Sequence, residues 1–226
     1  NKGDLADERC DVLLKAFAGE KGNAVKINAV NASSRRALVS AVNALVEEKR
    51  AKNQAKGYDK TFRFMVVGVP NTGKSTVINL LAESKRAATG DKAGVTRGKQ
   101  WIRLDGFELL DTPGTMPPSF ENQRLALHLA YVGSINDDIL DLDDVSISLL
   151  EELFASYPKR LEERYGIKGG AALEMLEQVA SRRGFVLRGG EFDYERAERA
   201  VIDDFRKGRL GRITLDNTDD LKGLVF

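Results

Sequence analysis

The feature that most constrains this chain is the eight-residue turn GVPNTGKS at Gly68–Ser75, a full match to the pattern G-x-x-x-x-G-K-[ST]. The apolar run Phe62–Val67 before it predicts a buried parallel strand, and the residues after it predict a helix through Leu81. A strand, a glycine-rich turn and a helix in this order form a phosphate-binding loop, in which backbone N–H groups and the helix N-terminus surround a phosphate. A chance glycine-rich turn, the alternative, would not require both neighbours.

The polar residues of this turn have separate chemical tasks. A lysine at position 74 would neutralise the β- and γ-phosphate oxygens, and it is our first candidate catalytic residue. The hydroxyl of Ser75 would ligate Mg²⁺. We therefore predict that the nucleotide phosphates contact a continuous stretch comprising Asn71, Thr72, Gly73, Lys74, Ser75 and Thr76.

Two further segments suit a γ-phosphate and its metal. The sequence DTPG, Asp111–Gly114, ends an apolar strand, so that Asp111 could hold Mg²⁺ through water and the Gly114 N–H could contact the γ-phosphate. Alone this would be an ordinary strand-to-turn sequence; its place one helix and two strands after Lys74 favours the functional interpretation. Thr96 lies between them in a stretch without periodicity, 85–98, and we predict that it clamps Mg²⁺ and the γ-phosphate, the alternative being a plain loop threonine.

The chain opens on Asn1-Lys2-Gly3-Asp4, which matches N-K-x-D. A carboxylate at Asp4 can accept two hydrogen bonds from the guanine edge, whereas adenine offers neither donor in that arrangement, so the motif predicts GTP over ATP with Asn1, Lys2 and Asp4 in contact with the nucleotide. A four-residue match is weak alone and gains weight from the other motifs. A second base contact is expected from a backbone N–H in the turn 28–31, at Val30, or alternatively at Ala32-Ser33.

Composition and patterning indicate two domains. The 226 residues carry 35 Lys and Arg against 34 Asp and Glu, so net charge does not by itself indicate a nucleic-acid binder. The single cysteine, Cys10, excludes an internal disulfide, and no apolar run approaches the roughly 18 residues of a membrane span. We predict a nucleotide domain over 1–118 and a helical domain over 119–226. The predicted elements are helices at 5–18, 33–49, 122–131, 143–156, 171–183 and 194–207, a β-prone run at 24–28, a linker at 48–60 and hairpin strands at 100–104 and 107–110.

The order of the motifs is unusual, because the base motif precedes the phosphate-binding loop. A family resemblance rests on GVPNTGKSTVINLL, TGDKAGVTRGKQW and LLDTPG in the nucleotide domain, and on YPKRLEERYG, RRGFVLRGGEFDYERA and DDFRKGRLGRITLD in the tail. In these segments the chain resembles the YlqF/RbgA family of circularly permuted ribosome-biogenesis GTPases. The resemblance implies an α/β fold, a permuted P-loop GTPase domain with a mostly parallel sheet, followed by a small α-helical domain. It also implies GTP and GDP as ligands, Mg²⁺, and a monovalent cation, K⁺, held with the help of Asn71.

The same resemblance implies a GTP-hydrolysing switch in assembly of the large ribosomal subunit, coupled to RNA binding by the tail. The expected partners are that subunit or its precursor and ribosomal RNA, with no membrane partner, and the protein is expected to be a monomer in the cytoplasm of a bacterium or in an organelle. Arg182, Arg183 and Arg188 flank Gly184-Phe185, an interleaving that suits RNA contacts. Alternatives are a signalling module that binds protein without RNA, and a metabolic P-loop kinase, which N-K-x-D disfavours.

Two departures from the pattern carry expectations of their own. The position after the DTPG glycine is Thr115, where most small GTPases place a glutamine that orients water, so we expect slow intrinsic hydrolysis that a partner stimulates. A permuted domain of this kind also needs a strand leading into Asn1, and we expect that strands upstream of it are missing from this chain.

Overall fold

The computed structural model describes residues 1–21, 23–58, 61–82, 100–104, 107–116 and 122–221. The chain forms two compact units. The first is Asn1–Met116 together with Asp216–Phe226, and the second is Pro117–Leu215. The sequence analysis assigned Asp216–Phe226 to the helical domain, whereas this segment clusters with the first unit. Within that unit the 3-10 turn Thr218–Leu221 lies against the helix Arg9–Lys21.

The first unit is organised around a three-stranded sheet in the order β1-β3-β2. Strand β1 (Phe62–Val66) runs parallel to β3 (Phe107–Asp111), with Val66 opposite Asp111. Strand β2 (Gln100–Leu104) is antiparallel to β3, as the hairpin pattern predicts. The turn expected at 105–106 lies outside the described residues.

Three helices accompany this sheet: α1 (Arg9–Lys21), α2 (Ser33–Ala55) and α3 (Lys74–Ala82). The core of the unit forms where the apolar face of α3, with Ile78 and Leu81, meets Phe107 and Leu109 of β3. Burial of these side chains fixes the first turn of α3, and hence the phosphate-binding loop, at the end of β1.

Two sequence predictions fail in this unit. The β-prone run 24–28 is extended but is not a strand, because its pairing in the described residues is limited to a bond from the Gly3 N–H to the Ile27 carbonyl (2.8 Å). Helix α2 continues to Ala55, through most of the segment predicted as a linker. Lys, Arg, Gln, Glu and Ala are good helix formers, so a polar stretch rich in them extends a helix as readily as it forms a linker. The chain then turns at Gly57, whose φ is 73°.

The described part of the second unit, residues 122–215, contains five α-helices, four of them close to the predicted spans. They are α4 (Gln123–Tyr131), α5 (Leu142–Ser156), α6 (Pro158–Tyr165), α7 (Ala172–Arg183) and α8 (Tyr194–Arg206). The sequence analysis missed α6, a short helix that begins on Pro158 and is followed by the capping residue Gly166. A continuous apolar core joins them, with fully buried Tyr131, Leu149, Leu153, Leu176 and Val201. None of the helices in the described parts of the chain is long and apolar enough to cross a bilayer.

Candidate functional site

The candidate site lies at the carboxyl ends of the two parallel strands. Val66 ends β1 and stands in register with Asp111, the last residue of β3. The phosphate-binding loop follows the first strand and the DTPG segment follows the second. Because parallel strands end at the same edge of a sheet, the sheet brings both loops to one place. Asp111 is buried there, with 8% of its surface exposed.

The phosphate-binding loop holds its own conformation. The Lys74 ammonium donates to the carbonyl of Val69 (2.8 Å), and the Thr72 hydroxyl donates to the same oxygen (2.9 Å). Asn71 has a φ of 60°, a left-handed conformation that asparagine tolerates better than most residues. Helix α3 starts at Lys74, so Ser75 and Thr76, both half-buried, occupy its first turn, where backbone N–H groups are directed toward the loop.

The DTPG segment is attached to this loop by three contacts. The Thr112 hydroxyl donates to the Val66 carbonyl (2.6 Å), and the Thr115 N–H donates to the Gly68 carbonyl (3.3 Å). Gly114 packs directly on Pro70: a Cβ at position 114 would lie 2.8 Å from the Pro70 Cα and N. Glycine is therefore the residue that permits this approach.

Asn1 connects the base motif to the phosphate-binding loop. Its amide nitrogen donates to the carbonyls of Thr72 (3.1 Å) and Gly73 (3.3 Å). Its side-chain oxygen accepts from the N–H groups of Ala29 (2.9 Å) and Lys2 (2.7 Å). A Cβ on Gly73 would lie 2.3 Å from the Asn1 amide nitrogen, so this contact also requires glycine. The sequence analysis treated Asn1 only as a nucleotide contact and missed its link to Ala29.

The remaining base-side residues are placed by short turns. Asp4 is exposed within the 3-10 turn Gly3–Leu5, and Lys2 before it has a φ of 56°. The Val30 side chain is exposed, and its N–H donates to the Asn28 side chain (3.1 Å). At the alternative position, the Ser33 N–H donates to the Asn31 side chain (3.0 Å). The Val30 and Ser33 N–H groups, both considered as base donors, thus each donate to the side chain of an asparagine two residues earlier.

The structure brings together most of the predicted site. Asn1, the loop 68–75, Asp111 and Gly114 are joined by the contacts above. The predicted clamp Thr96 lies outside the described residues. The residues that the sequence analysis missed are those contributing backbone atoms, above all Val69 and Pro70, since a motif pattern written as x carries no signal for them.

Comparisons with known proteins agree with this geometry. Residues 63–164 match the family model described as 50S ribosome-binding GTPase. Ribosome biogenesis GTPase A of Bacillus cereus is 40% identical over 225 residues, which cover 97% of this chain and 76% of that protein.

Two solved structures have the same fold over nearly the whole chain. The GDP-bound structure of YlqF from Thermotoga maritima superposes with a TM-score of 0.69 at 27% identity, covering 97% of this chain and 82% of the other. The GNP-bound YlqF structure from the same organism gives a TM-score of 0.63, also at 27% identity, covering 97% of this chain and 80% of that one. With the permuted motifs, the shared fold and a relative of this identity and coverage, the chain belongs to the YlqF/RbgA family of ribosome biogenesis GTPases.

Proposed function

We propose that GTP binding and hydrolysis switch this protein between two states during assembly of the large ribosomal subunit, and that the helical unit binds RNA more tightly in the GTP state. The protein is a GTPase of the ribosome biogenesis family and binds guanine nucleotide. The proposal goes beyond this family activity in one respect, the coupling between the bound nucleotide and the affinity for RNA.

One observation carries this coupling. Gly114 packs on Pro70 of the phosphate-binding loop, and helix α4 begins only nine positions later, at Gln123. A γ-phosphate bound by the Gly114 N–H would therefore fix the start of a short segment that leads straight into the helical unit. When that phosphate leaves, the segment loses one anchor, and the equilibrium between two arrangements of the helical unit shifts.

The residues present fit the metal ions that this chemistry uses. Ser75 lies in the first turn of the helix after the loop, and the buried Asp111 ends the neighbouring strand. Their hydroxyl and carboxylate oxygens are of the kind that Mg²⁺ prefers. Thr96 would complete this set. Bound Mg²⁺ would neutralise phosphate charge during hydrolysis. The left-handed Asn71, beside Thr72, is the residue we assign to a K⁺ site, as in similar potassium-stimulated GTPases.

The site's own residues suggest a slow intrinsic reaction. Lys74 would stabilise negative charge on the transferred phosphoryl group, and the Gly114 N–H would hold it in place. Thr115 is exposed, and its backbone N–H is engaged with Gly68. A threonine side chain lacks the amide that orients attacking water, so we propose that a ribosomal partner stimulates hydrolysis.

Binding of the purified protein to large ribosomal subunits or their precursors tests the proposal. It should be measured with GDP and with a non-hydrolysable GTP analogue over a range of salt concentrations, with Lys74→Ala as the nucleotide-deficient control. Tighter, salt-sensitive binding in the GTP form is expected for the unmodified chain and should disappear in the control.

Other outcomes would revise the proposal in distinct ways. Equal binding with both nucleotides would keep the ribosome as partner and remove the coupling. Intact GTP binding without ribosome or RNA binding would favour the protein-binding signalling module. Ribosomal particles that leave the GTPase rate unchanged would contradict partner stimulation.

A further inference from the structure

A basic groove of about 310 Å³ opens on the second unit, at the side where α6 meets the turn after α8. Three arginines and one acidic residue line it, together with the backbone of the turn. The lining residues are Arg160, Glu163, Arg164, Gly208, Arg209, Leu210 and Gly211. Leu210, the one aliphatic side chain among them, is itself buried, so the walls are polar and basic.

A buried carboxylate orders this groove from beneath. Asp204 of α8 is 1% exposed. Its Oδ2 accepts hydrogen bonds from the Arg164 Nε (2.9 Å), the Tyr165 hydroxyl (3.0 Å) and Arg183. Its Oδ1 accepts from the Arg209 Nη1 (2.9 Å). Arginines from α6, α7 and the turn after α8 thus share one carboxylate.

Two carboxylates, Asp204 and its neighbour Asp203, do not balance the three guanidinium groups and Lys207, so the cluster keeps an excess of positive charge. Each guanidinium has five N–H donors, and the contacts with Asp204 use only one or two of them. The Arg164, Arg183 and Arg209 side chains remain 32%, 31% and 46% exposed. Burial alone would raise the pKa of the Asp204 carboxyl, but hydrogen bonds from Arg209, Arg164 and Tyr165 hold it below its ordinary value, so the carboxylate stays ionised and the arginines stay in place.

Arg160 extends the basic wall over the turn. A Cβ on Gly211 would lie 3.0 Å from the Arg160 Cζ, and Gly211 has a φ of 89°, so glycine at this position leaves room for the guanidinium. The Arg160 side chain is 44% exposed, with Glu163 3.7 Å away as its acidic neighbour. Asp203 forms ion pairs with Lys207 and with Arg209.

We propose that this groove, ordered by Asp204, binds phosphate groups of an RNA backbone. Guanidinium groups held in a fixed fan match phosphate oxygens with paired hydrogen bonds. The lack of exposed apolar lining argues against an acidic peptide, which would need an apolar anchor. The inference rests on the proposed RNA-binding role and gives that role a location.

The test uses the full chain, a labelled RNA hairpin and three substitutions, with affinity read by fluorescence anisotropy across a salt series. Arg160→Gln should weaken binding roughly five- to tenfold and reduce the slope of log affinity against log salt by about one. Glu163→Gln, which removes the acidic lining residue, should strengthen binding. Arg199→Gln is the matched control, because Arg199 is an exposed helical arginine paired with Glu195 one turn away.

The outcomes separate this inference from the function on which it rests. The unmodified chain could bind the hairpin while Arg160→Gln and Arg199→Gln weaken this binding equally, or while neither weakens it. Either result would reject the groove as the RNA site and would leave the protein an RNA-binding protein. Absence of hairpin binding by every variant, with GTP still bound, would overturn both. A parallel titration uses inorganic phosphate. If Arg160→Gln weakens phosphate binding but leaves hairpin binding unchanged, the groove is a site for free phosphate and the proposal that it binds RNA is rejected.

Discussion

The side-chain amide of Asn1 donates to the backbone carbonyl of Thr72 at 3.1 Å, joining two residues 71 positions apart in the sequence. The same side chain accepts from the Ala29 N–H. The base motif, the base turn and the phosphate-binding loop are therefore linked through one small side chain, and we expect guanine recognition to be coupled to phosphate binding through it.

Removing this side chain should weaken the whole site. Asn1→Ala is expected to lower the affinity for both GTP and GDP by roughly 10- to 100-fold, because four hydrogen bonds are lost, three of them to separate segments of the chain. Asn1→Asp keeps the acceptor for the Ala29 N–H but loses the donor to the Thr72 carbonyl, so its affinity for both nucleotides should also be reduced. Titration with fluorescent nucleotides measures both. Gln54→Ala, an exposed position of α2, serves as control, and wild-type affinity in Asn1→Asp would refute this linking role.

Base selectivity should depend on the exposed carboxylate of Asp4. Asp4→Asn replaces one acceptor by a donor that faces the guanine amine, so GTP affinity should fall by about 100-fold or more. Xanthosine triphosphate, which carries a carbonyl in place of that amine, should then bind better than GTP. Competition titrations with both nucleotides check this, with Glu8→Gln as a nearby exposed control. Unchanged preference for GTP would remove Asp4 from the base site.

The contact between Gly114 and Pro70 should matter most for the triphosphate. In Gly114→Ala the new Cβ would lie 2.8 Å from backbone atoms of Pro70, and the DTPG segment must move away. We expect the affinity for a GTP analogue to fall roughly tenfold or more, with a smaller effect on GDP. Calorimetric titration of both nucleotides gives the ratio.

The control for this substitution is Gly57→Ala, where no atom lies within 4 Å of the added Cβ. Its positive φ should cost about 1 kcal/mol of stability without changing the ratio of the two affinities. Equal losses of GDP and GTP-analogue affinity in Gly114→Ala would instead indicate a general distortion of the loop.

The sequence predicted the parts of this fold that have long, regular apolar patterns. Helices α5, α7 and α8 follow from the helical pattern of the sequence, β1 follows from its apolar run, and β2 and β3 follow from the hairpin pattern across Asp105-Gly106. It failed for α6, whose eight residues are mostly charged and become helical on a core built by other elements. It predicted α2 through residue 49 but missed its continuation through 50–55, because this polar stretch has helical propensity but no apolar periodicity.

The site was predicted as a set of motifs, not as a network. The spacing located Lys74, Asp111 and Gly114, since their chemistry requires those residue types. Contacts such as Asn1 with Ala29 are set by tertiary packing and leave no local pattern. Phe185, in the segment whose basic and aromatic residues suit RNA contacts, packs against the core of the second unit, with the Arg196 guanidinium 4.5 Å from its ring centroid, a contact that the sequence did not predict. The sequence analysis did not single out Asp204, because nothing in the local sequence distinguishes it from other acidic residues. Its role depends on the arginines that surround it in the folded structure.

Asp204 should contribute to the stability of the second unit in a pH-dependent way. Asp204→Asn leaves three guanidinium groups without their shared counter-charge and should cost about 2 to 4 kcal/mol near neutral pH. The folded-state pKa lies below the ordinary value of 3.8, so this stabilisation is fully present above that value and is lost as pH falls through the folded pKa. The variant should therefore lose less stability on acidification than the unmodified chain.

Hydrogen exchange of the α7 and α8 amides, measured between pH 7 and pH 3 with correction for the intrinsic rate, checks this difference. Asp138→Asn, at an exposed acid of the same unit, should stay within about 0.5 kcal/mol of the unmodified chain. Parallel pH curves for the Asp204 variant and the unmodified chain would show that the carboxylate is not the group responsible.

The position of Asp204 along the chain also imposes an order of events during synthesis. Arg164 and Arg183 are synthesised before the carboxylate that holds them, which follows 21 residues after the second of them. A ribosome releases the N-terminal part of a chain first, so the motif segments from Asn1 to Gly114 leave it before Asp204 does. If the proposed groove binds RNA, a chain that ends before Asp204 would lack the carboxylate that orders its arginines, and RNA binding by this groove would begin only after that residue has been added.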